Sequence, residues 1–121
     1  MAQTYDFKNA QNGSVIPVAD GDFFTELMRQ DHVIGHFYVE FFSDAAGNVP
    51  VSPTAGTLKV NCSPMGRNYI ANGEVTINAI DCGSPNSNYD PIVFEGEAVK
   101  ARVTLSGIAG AAYMRAHMWR V

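Results

Sequence analysis

His32 and His36 stand four residues apart, the spacing that lets two imidazoles on one helix face share a metal ion. The run that holds His36, VIGHFYVEFFS from Val33 to Ser43, is instead rich in aromatic and β-branched residues and reads as a strand. Along a strand, positions i and i+4 lie about 13 Å apart, too far for a shared ion. His117 is alone on its segment. Cys62 and Cys82 have no adjacent histidine pair to complete a zinc set, and synthesis in a reducing compartment predicts two free, packed thiols. Asp81, Asn86, Asn88 and Asp90 bring calcium-type oxygen donors into one loop, but the turn-forming habit of Asn and Asp explains them more simply.

Acid–base and nucleophilic chemistry fare no better. Ser63, Ser84 and Ser106 fall in turn-like stretches, and no G-x-S-x-G elbow presents a serine to a base. Glu40, Glu74, Glu95 and Glu97 could supply the facing carboxylates of a glycosidase, as could the acids of any β-protein this size. The chain has no phosphate-cradling glycine loop. The reading predicts a non-enzymatic domain with no metal and no cofactor.

Residue types suited to protein recognition are better placed. From Ala111 to Val121, Ala112, Met114, Ala116 and Met118 form a small apolar face. Tyr113, Arg115, His117 and Trp119 form the other, a row of the aromatic and cationic side chains enriched at protein interfaces, and Arg120 follows. The strand Val33 to Ser43 has the same double character: Phe37, Val39 and Phe41 lie opposite His36, Tyr38, Glu40 and Phe42. A sandwich strand ordinarily keeps one face wet. Tyr38, Phe42, Tyr113, Arg115, His117, Trp119 and Arg120 are therefore the candidate interface, and a homo-oligomer, dimer or trimer, is expected. Cover by a loop and a sugar-stacking platform are the alternatives.

The elements that would position these residues are strands. Thr57 to Cys62 alternates with Leu58, Val60 and Cys62 on one side, and Glu74 to Ile80 with Val75, Ile77 and Ala79. Asn72-Gly73 between them is a tight-turn signal. Asn12-Gly13 precedes the short run Val15-Ile16, where Pro17 marks an edge or a strand end. Ala98 to Leu105 alternates cleanly, with Val99, Ala101, Val103 and Leu105 inward. With the turn Ser106 to Gly110 and the closing strand it reads as a hairpin. Asp22 to Gln30, DFFTELMRQ, fits a short helix capped by Asp22, and almost as well an alternating strand. The fold predicted is an all-β, jelly-roll-like sandwich of about eight strands in one domain, residues 1–121, with one short helix near 22–30.

Composition agrees with this reading and narrows the partners. The 121 residues include 46% hydrophobic and 17% charged residues, a globular composition with enough chain for one core. The net charge of −4 argues against general nucleic-acid binding. Residues 97–121 carry +3 and residues 1–96 carry −7, which suggests charge-complementary contacts with a partner. No stretch has the length of a transmembrane helix, and Met1 to Ser14 lacks the apolar core of a signal peptide. A cytoplasmic site of synthesis without membrane association is therefore expected.

The segments HFYVEFFSDAAGNVPVSPTAGTLKV and ARVTLSGIAGAAYMRAHMWRV resemble small β-sandwich proteins of tailed bacteriophage particles. The shared patterns fall on Phe37 to Gly47, Gly56 to Val60, Ala101 to Ala111 and Arg115 to Arg120, within a span that covers about two-thirds of the chain. Residues 1–32 and the loop 81–96 carry none of it. The resemblance implies a virion structural protein without catalytic residues, made in the host cytoplasm and placed on the outer capsid surface or tail. A capsid decoration or cement protein that binds the major capsid protein, or another virion protein, and its own copies is the leading reading. A carbohydrate-binding receptor module of a tail fibre or spike is the alternative.

Overall fold

Strict two-residue alternation organises the longest strands, because successive side chains of an extended chain point to opposite faces. The computed structural model describes residues 3–7, 13–29, 31, 33–69, 74–82, 92–95 and 98–121. Among them nine strands form: β1 (Gln3–Tyr5), β2 (Val15–Pro17), β3 (Gly21–Phe24), β4 (Ile34–Phe42), β5 (Ala55–Ser63), β6 (Val75–Asn78), β7 (Ile92–Glu95), β8 (Lys100–Ala109) and β9 (Tyr113–Arg120). A single 3₁₀ turn, Ala79–Asp81, follows β6.

The strands form two antiparallel sheets. One runs β1-β9-β4-β7, with β2 also on β9, and the other β3-β8-β5-β6. β1 pairs with the end of β9 (Tyr5↔Met118) and β2 with its start (Val15↔Arg115), so the two act as one interrupted edge strand. Pro17 closes β2 on that edge, where its missing N–H breaks no ladder. Counting β1 and β2 as one, the order is first-eighth-third-sixth facing second-seventh-fourth-fifth. That is jelly-roll topology, and the domain is an all-β sandwich as expected.

Between the sheets, Phe37, Val39 and Phe41 of β4 and Met114, Ala116 and Met118 of β9 meet Leu58, Val60, Ala101, Val103 and Leu105 of β5 and β8. Phe7 packs edge-on to Phe37 with ring centroids 6.4 Å apart. Apart from Phe7, these are the inward residues the alternation predicts.

Two local expectations need correction. The short helix near 22–30 does not form: Gly21–Phe24 is a strand on β8, with Gly21↔Leu105 through Phe24↔Arg102 in register. Asp22 accepts a hydrogen bond from Thr104 Oγ1 (2.7 Å) across the ladder instead of capping a helix. Thr25 and Met28 continue along the partner strand through Thr25 N to Ala101 O (3.0 Å) and Met28 N to Val99 O (2.8 Å). Gln30 lies outside the described residues.

The second correction concerns the C-terminal hairpin. β8 and β9 belong to different sheets and face each other across the core. Both strands turn an alternating apolar face inward, so their sequence pattern is the same as that of a hairpin. The connection changes sheet at Gly110, whose φ of +83° suits glycine and whose α-carbon lies against Thr54. Asn72-Gly73, Asn12 and residues 83–91 of the polar loop, including Asn86, Asn88 and Asp90, fall outside the described residues.

Gly56 supports this packing at a second close approach. It occupies the register shift between Ala55 and Thr57 on β5, with φ at +110°. A β-carbon there would lie 2.5 Å from Ile108 Cα. Gly56→Ala is expected to destabilise the domain by about 2–4 kcal/mol through strain and backbone clash. Chemical denaturation measures this directly.

Candidate functional site: the outer face of the five-stranded sheet

β9 is flanked on both sides, by β4 and by the β1/β2 edge, so the candidate row lies mid-sheet and not at an edge. Registers Tyr38↔His117 and His36↔Trp119 bring the outward residues of β4 and β9 side by side. The face divides into three parts along these strands.

One end is covered. Phe42 was expected in the interface, yet it is 2% exposed. The turn 43–50 folds over this end, with Gly47 beside the Phe42 ring and Val15, and the Arg115 guanidinium lies 5.0 Å from the ring centroid. Asp44 pins the turn by accepting the backbone N–H groups of Asn48 (3.0 Å) and Val49 (2.9 Å). Those bonds, Val49 first, hold its carboxyl below the usual range. Loop cover is thus correct for Phe42, next to Tyr113, which is half-buried.

The centre is polar and internally paired. Arg115 donates through Nε to Glu40 Oε1 (3.0 Å) and through Nη2 to Oε2 (3.4 Å), and His117 Nε2 lies 3.1 Å from Oε1. Partial burial alone would raise the Glu40 carboxyl, but the hydrogen bonds from Arg115 and His117 outweigh it and hold it below its usual range. With the folded value depressed, this cluster contributes stability above the unfolded carboxyl's range and loses it as pH falls through the folded value. The Tyr38 ring leans on His117 at 6.2 Å. Arg115 is therefore engaged by Glu40 within its own chain.

The other end is open and apolar. His36 and Trp119 stack almost parallel, 5.2 Å between centroids and 3° between planes. Around them Ile34 is 38%, Val93 51% and Val121 42% exposed. All three belong to this face. Val93 is in register with His36, and Val121 exchanges backbone hydrogen bonds with Ile34 at 2.8 and 3.3 Å. The sequence reading missed Ile34, Val93 and Val121. Continuing the alternation back from Tyr38 and on from Trp119 would have found the first and last, whereas β7 is too short to show its own periodicity.

Arg120 is also corrected. It is fully buried, and its Nη1 donates to Ala98 O at 2.7 Å. Even-numbered positions of β9 face the core, and Arg120 shares the parity of Met114 and Met118. Burial lowers its pKa. Arg102, by contrast, is on the opposite sheet, where its guanidinium lies 4.8 Å from the Tyr69 ring centroid and Nε donates to Asn61. The basic C-terminal segment is thus dispersed over two sheets and the core, and forms no single cationic surface.

Cys62 and Cys82 are both unbridged. Burial pushes the Cys62 thiol up to about 11. At a labelling pH of about 8 it would hold a few-hundredfold less thiolate than a free thiol near 8.5. Alkylation of Cys62 in the native protein is expected to be more than about a hundredfold slower than in urea, as followed by peptide mass spectrometry. Among the described residues no cluster of three or more His, Cys, Asp or Glu side chains could hold a metal ion.

No curated protein matches the chain. A family described as "Domain of unknown function (DUF7265)" matches residues 26–120, a span that starts just after β3 and takes in β4 to β9 with the whole outer row of the central strands. By that match, the chain belongs to the DUF7265 family.

Proposed function

We propose that this domain is a non-enzymatic structural protein of tailed-phage particles, a capsid decoration or cement protein that packs against its own copies and the capsid shell. Three things support the reading: the motif resemblance, a jelly roll of the kind shared by viral capsid and lectin domains, and the outer sheet face. Fold alone does not choose among functions, so the face carries the argument. Its open end groups Trp119, His36, Ile34, Val93 and Val121, types suited to a buried protein contact.

The occupant we assign to that end is a second copy of this chain. Glu40 and Arg115 neutralise one another within the face, while the chain as a whole carries −4. Two copies meeting there bring no unpaired like charges together, as a two-fold contact requires. The glycan-binding alternative gains no support from the same residues, since one face of the Trp119 ring is taken by His36. Cryo-electron microscopy of purified particles tests the proposal. It predicts repeated density for this domain on the capsid or tail surface, and absence of the protein from particles overturns it.

A further inference from the structure

We infer that His36 makes this self-contact acid-labile. The inference rests on reading the open end of the face as the contact between copies. His36 is half-buried at the centre of that end, stacked on Trp119, and its Nδ1 is buried with no hydrogen-bond partner. On its own strand it stands between Ile34 and Tyr38. On β9 it is in register with Trp119, with His117 and Val121 to either side. On β7 it is in register with Val93, and Glu95 is in register with Ile34.

Protonation acts differently on the free and the associated chain. In the free chain a charged His36 already carries a buried, unpartnered Nδ1–H, but its open side is solvated and its ring lies on the π-face of Trp119. In the contact, the same charge is enclosed by Ile34, Val93 and Val121 of two copies, and burying it is costly. Two-fold symmetry charges both copies at once, which adds like-charge repulsion. The associated state therefore binds fewer protons, and association weakens as pH falls. His117 differs because its ring nitrogen already has a partner in its own chain, the Glu40 carboxylate 3.1 Å away, whereas the buried Nδ1 of His36 has none.

The test is sedimentation equilibrium of the full chain at constant ionic strength from about pH 7.5 to about pH 5.5, the range in which imidazoles ordinarily titrate. The dissociation constant is expected to rise by about tenfold or more over that interval. His36→Gln, or His36→Phe, which keeps a stacked ring, is expected to remove the dependence. His117→Gln is expected to retain it. A wild-type dissociation constant that does not change with pH overturns the inference and leaves the self-contact standing. A dependence that survives both His36 variants overturns the assignment to His36. A chain that is monomeric at every pH overturns the contact itself.

Discussion

Met114→Asp should unfold the domain. Met114 is 1% exposed, is in register with Phe41, and packs between the sheets. A carboxylate there has no described partner to pair with. An unpaired buried charge costs several kcal/mol, and total stabilities of about 5–15 kcal/mol leave little reserve for a domain of this size. Circular dichroism is expected to show loss of the β spectrum and of a cooperative melt. A folded Met114→Asp protein would mean that β9 is displaced by one residue, which would turn Met114, Ala116 and Met118 to solvent and the aromatic row into the core.

Trp119→Ala should do the reverse, leaving the fold and removing the association. Trp119 is on the outer face, so its loss opens no cavity between the sheets. The fold loses the stack on His36, an effect of about 1 kcal/mol. At the centre of a protein contact, truncating a tryptophan typically costs about 2 kcal/mol or more, so self-association is expected to weaken more than tenfold. A Tyr38→Ala variant makes a graded comparison, since Tyr38 lies beside the polar centre and farther from the exposed aliphatic residues.

Much of the fold could be read from alternation. The inward sets Phe37/Val39/Phe41, Ala101/Val103/Leu105 and Met114/Ala116/Met118 are where period-two patterning places them, because one-sided burial pins strand register. Sheet membership could not be read the same way. β8 and β9 carry the pattern of a hairpin, and only the long-range ladders β5–β8 and β4–β9 show that they are in opposite layers. Asp22–Gln30 misled for a related reason. Paired apolar residues at Phe23-Phe24 and Leu27-Met28 fit a helical face, but pairing with β8 overrides a weak local preference.

The candidate site was half visible. Tyr38, Tyr113, Arg115, His117 and Trp119 do line one outer face. Arg120 follows Trp119 in the sequence, but its parity with Met118 places it in the core. Phe42 is on the expected side, but its cover comes from a turn that no periodicity describes. The Glu40–Arg115 pair spans 75 residues of sequence, so the neutrality of the face emerges only once β4 and β9 are side by side.

The central claim is that the outer face of β4 and β9 joins copies of the chain. Sedimentation of the wild-type protein and of Trp119→Ala at micromolar concentration near neutral pH tests it most directly. The account predicts a wild-type mass at least twice the 13.1 kDa chain, and a folded Trp119→Ala protein shifted to monomer. A wild-type protein that sediments as a monomer throughout, or a Trp119→Ala protein that associates as tightly as wild type, would contradict it.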